Sequence, residues 1–230
     1  MKIFVYWNYK DSDSKKIYGF LDEYITLLKT HHQYDVSFYK KCKHFDMNGV
    51  METDIAESDM ILMFTHGEKD RILKYLYPEP SLLSSATLVN KSNAQLFMNK
   101  IVVAMCCDSA VELGEFCNNP ESPISTTYIG FRDAIQYDTQ NNGVRINETF
   151  RATMYKSYSE AFQEAFTFSI DNNCTAAMFV RRLKLNLRSF ATKNILEGKN
   201  RSFGSASPAQ MYTRTANSLV VLGNSNIQLF

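Results

Sequence analysis

His66 and Cys107 are the side chains of this sequence whose types and setting suit covalent chemistry. Each follows a short apolar run: Met60 to Phe64 leads into Thr65-His66-Gly67, and Ile101 to Cys106 leads into Cys107-Asp108-Ser109. Continuous apolar runs of this length fit central parallel strands, buried on both faces. In an open parallel sheet, ligands bind beyond the carboxyl ends of the strands. Neighbouring strands lie about 5 Å apart, so adjacent ends would bring the thiol and the imidazole together as nucleophile and acid/base. Each residue also has a plainer reading: a strand-end histidine can be structural, and a cysteine closing an apolar strand can be a small core hydrophobe. Side chains alternate in direction along a strand, so one of Cys106 and Cys107 faces into packing and the other toward the strand tip.

The elements that must position these residues are legible from pattern. Lys2 to Trp7 reads as a buried strand. A polar break at 11–14 follows, with Ser14 as a helix cap, and Ile17, Phe20, Leu21, Tyr24 and Leu28 then recur at helical spacing. Tyr34 to Tyr39 alternates like a strand, and the polar stretch up to Ser58 has weak helical character. The segment from Glu68 to about Asn99, with Pro78 and Pro80, reads as long loop. A helix is expected over Ser109 to Phe116, a strand over Ile124 to Phe131, and loop over 136–147. Phe150, Met154, Tyr158, Phe162 and Phe166 mark an amphipathic helix, broken at Asn172 and Asn173 before a second one through Val180, Leu183, Leu187 and Phe190. Glu197 to Ala209 reads as loop, and Leu219 to Leu222 and Ile227 to Phe230 as closing strands. Strands separated by helices indicate an α/β sandwich with a mostly parallel sheet, and residues 1–230 are expected to form a single domain.

Composition narrows the functional classes. The 230 residues are 45% hydrophobic and 21% charged with a net charge of +1, which suits a packed globular chain and implies no general polyanion binding. No nucleic-acid module is recognisable. The longest apolar stretch, Ile101 to Cys107, is too short to span a bilayer, which takes about 20 residues. The N-terminal apolar run is too short for a signal peptide, so the expected compartment is the cytosol, with no membrane partner. Five cysteines (Cys42, Cys106, Cys107, Cys117, Cys174) without regular spacing indicate neither a disulfide framework nor a zinc site, and no cofactor or metal is expected.

The order apolar strand, His-Gly, loop, apolar strand, Cys with an acidic follower resembles the caspase-like cysteine peptidases of clan CD. The local match is closest to the bacterial CHAT proteases, whose Cys motif reads roughly apolar-apolar-Ser-Ala-Cys-Glu-Thr/Ser-Ala. This chain has Val103-Ala104-Met105-Cys106-Cys107-Asp108-Ser109-Ala110. That register puts Cys107 at the nucleophile position, with Met105-Cys106 where Ser-Ala is usual. The helix pair spanning Phe162 to Leu183 and the terminal SLVVLGNSNIQLF extend the likeness over most of the chain. The resemblance implies a caspase-like three-layer sandwich and a Cys107–His66 dyad cleaving a protein or peptide substrate. It also implies an oxyanion hole from the N–H groups of Gly67 and Cys107. No Asn or Asp is assignable from sequence as an orienter of His66. Related bacterial enzymes act in defence or regulated-death systems beside separately encoded activators or sensors, which is the partner expected here.

Asp133, just past the 128–131 strand, occupies a place resembling the acidic pocket residue of separases, and an acid there selects Lys or Arg at the cleavage site. The open alternatives are Asp108 as the pocket acid, a solvated Asp133 paired with Arg132, and Arg132 itself selecting an acidic residue. Residues 175–230 hold eight Lys or Arg against one Glu, and Arg181, Lys184 and Arg188 share a helix face. That stripe reads either as a solvated face or as a dock for an acidic partner. From another functional class, the alternative to a peptidase is a catalytically silent α/β module that binds a partner.

Overall fold

The computed structural model describes residues 1–41, 49–75, 86–119, 121, 126–137, 148–200 and 206–230. Its main sheet contains β1 (Lys2–Asn8), β2 (Asp35–Lys41), β3 (Met60–Phe64), β7 (Ile101–Ala104), β8 (Thr127–Phe131) and β9 (Leu219–Leu222). The spatial order is β2-β1-β3-β7-β8-β9. The first five run parallel, and β9 closes the sheet antiparallel to β8. Three short strands, β4 (Gly67–Glu68), β5 (Arg71–Leu73) and β6 (Thr87–Asn90), form a separate antiparallel sheet.

Strand alternation divides the core into two layers. Ile3, Val5, Trp7, Leu62, Phe64 and Val103 face one side. There they pack on α1 (Ser12–Ile17), α2 (Leu21–Thr30), α5 (Glu148–Asp171), α6 (Ala176–Leu196) and α7 (Pro208–Ser218). Phe4, Tyr6, Ile61, Met63, Val102 and Ala104 face the other side, against α3 (Gly49–Glu57), α4 (Leu113–Cys117) and the small sheet. The result is the α/β three-layer sandwich expected from sequence, a mostly parallel sheet flanked by helices. Burial on both faces explains why β3 and β7 are apolar at every position: all nine of their residues are buried.

Several elements differ from the sequence expectation. The helix expected from Ser14 to Leu28 is two helices, α1 and α2, separated at Tyr18–Phe20. Asp11, not Ser14, caps α1, accepting the N–H groups of Asp13 and Ser14. Tyr18 is drawn out of the helical path because its ring is buried and its hydroxyl donates to Met105 O at 2.7 Å. The expected loop after Glu68 contains β4 to β6 and a 3-10 turn at Ala94–Phe97; strands of two to four residues are too short to show a period. Helix α7 begins inside what reads as loop, although Ser207 and Gln210 form a capping box with Pro208 in the first turn. Ile227–Phe230 is not a strand; only Gln228 makes an isolated bridge, to Thr175. Cys42, Pro78, Pro80, Ile124 and the 138–147 part of the expected loop lie outside the described residues.

Where β3 and β7 end, the two chains touch backbone to backbone. A Cβ on Gly67 would stand 2.4 Å from Cys107 O and 2.9 Å from Cys106 Cβ. Only glycine permits that approach. Gly67→Ala is therefore expected to destabilise the fold by about 1–3 kcal/mol, the range for overpacking a rigid contact. The check is the shift in urea midpoint, and an unchanged midpoint would show that the strand ends can part freely.

Candidate active site

The register of the central strands builds the site. Met63 is opposite Ala104, and the ladder continues with Met105 N–H donating to Met63 O at 2.8 Å. Beyond the ladder Gly67 lies against Cys106 and Cys107, so His66 and Cys107 occupy adjoining strand ends. The expectation that these two strand ends are neighbours therefore holds, as does the placing of the Phe131 strand beside β7.

The paired cysteines separate as strand alternation requires. Cys106 is fully buried in the layer beside α3 and α4, and its Sγ contacts Met63 O at 3.7 Å. Cys107 is half-buried and packs against the opposite layer. Directly after it, Asp108 adopts φ 55°, a left-handed conformation that aspartate tolerates better than most residues. Ser109 Oγ donates to Cys106 O at 3.0 Å and tightens the turn. Backbone strain of this kind clusters at active sites, ligand clamps and switch regions.

His66 has a neighbour that the sequence did not reveal. Its buried Nε2 lies 3.1 Å from Asp11 Oδ1. Asp11 also caps α1, accepting Ser14 N–H at 2.8 Å and Asp13 N–H at 3.1 Å. Burial pushes the Asp11 carboxyl up, but His66 and the two cap N–H groups outweigh it and hold the carboxyl below its ordinary range. The signal in the sequence was only a cap-forming residue. Its relation to a histidine 55 positions later exists because β1 pairs with β3.

The thiol is not paired with the imidazole. Cys107 Sγ accepts Ile135 N–H at 3.3 Å, and no hydrogen bond joins it to His66 among the described residues. Burial pushes the thiol up to about 11; the Ile135 N–H opposes this, and the charges of Asp108 and Asp133 reinforce it. Burial also raises the Asp108 carboxyl, with Asp133 adding to the rise and Lys69 countering it. The two candidate pocket acids thus lie near each other and near the thiol. Asp133 O accepts Asp108 N–H at 3.4 Å, while the exposed Asp133 carboxylate folds back onto Ala134 N–H at 2.8 Å. The alternative pairing of Asp133 with Arg132 is not what forms: Arg132 contacts Glu115 at 3.3 Å.

Among the described residues, no group of His, Cys, Asp or Glu is arranged to hold a metal ion, and no helix is long and apolar enough to cross a membrane. No family model matches the chain, and no curated protein does. A solved structure called "Structure of Protease" is similar to it, with a TM-score of 0.55 and 15% identity over 99% of this chain and 48% of that one. At that identity the likeness shows the fold alone. The chain spans about half the length of that structure.

The site's electrostatics predict how the thiol reacts. Alkylation of Cys107 by iodoacetamide should accelerate with rising pH up to about 11 instead of levelling off near neutrality. Removing one negative charge with Asp108→Asn should favour the thiolate, lowering that midpoint and speeding labelling severalfold at pH ~8. A midpoint unmoved by the substitution would show that Asp108 does not act on the thiol.

Proposed function

We propose that this chain is a caspase-like cysteine endopeptidase in which Cys107 and His66 act as a dyad and Asp11 orients the imidazole. The observation that supports it best is the juxtaposition of His66-Gly67 and Cys106-Cys107 at the carboxyl ends of two central parallel strands. The protease-type fold of the structural neighbour agrees with this reading.

The chemistry follows from the groups present. His66 takes the thiol proton, and the sulfur attacks the scissile carbonyl carbon. With Nε2 turned toward Asp11, Nδ1 is the nitrogen left for this transfer. The N–H groups of Gly67 and Cys107 would receive the oxyanion of the tetrahedral intermediate. The C–N bond then breaks as His66 returns its proton to the departing amine, leaving a thioester that water hydrolyses.

A basic residue on the acyl side of the cleaved bond is the preferred substrate feature. Asp108 and Asp133 present negative charge beside a nucleophile that must itself become negative. A Lys or Arg side chain between them neutralises that charge, so the fitting substrate both binds and eases ionisation of the thiol. An acidic residue meets repulsion from both. A role in bacterial defence and a separately encoded activator rest on the family resemblance alone.

Fluorogenic peptides ending in Arg or Lys test the reading against the silent partner-binding alternative. Cys107→Ala should abolish cleavage with the fold intact. His66→Ala should lower turnover at least ~10²-fold. Cys106→Ala should retain most activity while losing about 1 kcal/mol of stability. Activity that survives Cys107→Ala but not Cys106→Ala would move the nucleophile by one residue. Cleavage after Asp instead of Lys or Arg would remove Asp133 and Asp108 from the pocket.

A further inference from the structure

The stretch after β8 is tied down at more points than a connection requires. Phe131 O accepts Ala110 N–H at 3.0 Å, Asp133 O accepts Asp108 N–H at 3.4 Å, and Ile135 N–H donates to Cys107 Sγ at 3.3 Å. Alternate residues of one segment therefore meet the nucleophile turn in reverse order, as an extended antiparallel chain would. Ile135 is only 5% exposed and belongs to the core. Gln136 N–H donates to Thr215 Oγ1 at 3.1 Å, and Gln136 O accepts the Tyr158 hydroxyl at 2.7 Å. Tyr137 closes the run: its hydroxyl donates to Asp13 Oδ2 at 3.1 Å, and Arg151 and Tyr155 hold the same carboxylate. Asp13 is two residues beyond Asp11, so the segment reaches from the thiol to the cap turn that faces His66.

Attack requires a peptide carbonyl to come within about 3.5 Å of the sulfur. Here an N–H group already lies within that distance, backed by a buried isoleucine. We infer that Ala134–Tyr137 is an autoinhibitory strap that covers Cys107 and must be lifted before a peptide reaches the thiol, while Asp133 stays on the Asp108 N–H. The inference rests on the peptidase reading and adds its regulation: the strap lies against the nucleophile as an extended peptide would, so substrate and strap compete for one place. Its anchors are single hydrogen bonds on polar side chains at one end and the core contact of Ile135 in the middle. Such a segment can open locally without unfolding the sheet beneath it.

The test is the rate of iodoacetamide labelling of Cys107 in the full chain at neutral pH, read by mass spectrometry of the modified peptide. Tyr137→Phe removes the bond to Asp13, and Thr215→Val independently removes the acceptor of Gln136 N–H. Tyr137→Phe loses one hydrogen bond and Thr215→Val loses two, the second to the Tyr158 hydroxyl that holds Gln136 O, so Cys107 labelling should speed up about 5-fold or more in either variant. Cys117 and Cys174, both fully buried, should stay at the parent rate. Unchanged Cys107 labelling in both variants would overturn the strap. So would slower labelling, which would mark the Ile135 N–H as a support of the thiolate, or a rise shared by Cys117 and Cys174, which would mark general loosening. Labelling does not depend on turnover. Faster labelling without peptide cleavage would leave the strap standing and remove the peptidase reading; cleavage with unchanged labelling would do the reverse.

Discussion

The close approach of β3 and β7 at their carboxyl ends is the constraint on which the rest of the site depends. Two adjacent parallel strands carry their side chains level with one another, and the pairing that aligns Met63 with Ala104 sets His66 and Cys107 on adjoining strand ends. That alignment holds only while the chain after His66 can lie against Cys106-Cys107, which the absence of a Cβ on Gly67 allows. The neighbouring elements then reinforce it. Tyr18 holds Met105 O, and Thr65 Oγ1 holds Leu73 O at 2.7 Å, joining the tip of β3 to the small sheet.

Burial both makes and restrains this site. The strands that position the thiol and the imidazole are apolar on both faces, and that same environment disfavours the thiolate. The two nearby carboxylates add to the restraint. A thiol in this setting is quiet until something brings positive charge or withdraws the proton. A basic substrate side chain would supply the first and His66 the second. The resting arrangement, with the imidazole turned to Asp11 and the thiol beneath Ile135, is the one the proposed peptidase would leave before attack.

Much of the architecture was legible because its elements are long or uniformly apolar. The runs at 60–64 and 101–106 announce central strands, and the four-residue recurrence from Phe150 to Phe166 announces α5. The two-cysteine step was readable too, since alternation alone separates Cys106 from Cys107. What escaped depends on tertiary partners. The β4–β6 strands are too short to have a period. The break between α1 and α2 arises from Tyr18 reaching the end of β7. Asp11 reads as a polar residue before a helix, and only strand pairing carries it to His66. Helix α7 is a different case: its capping box and Pro208 were present in the sequence.

The central claim is that Cys107, and no other cysteine, is poised to attack a peptide carbonyl. The most direct measurement is to treat the chain with a peptidyl-arginyl acyloxymethyl ketone and map the covalent adduct by mass spectrometry. A single adduct on Cys107, lost on denaturation before treatment and absent from His66→Ala, is the expected result. An adduct on Cys106, equal labelling of several cysteines, or equal labelling before and after denaturation would contradict it.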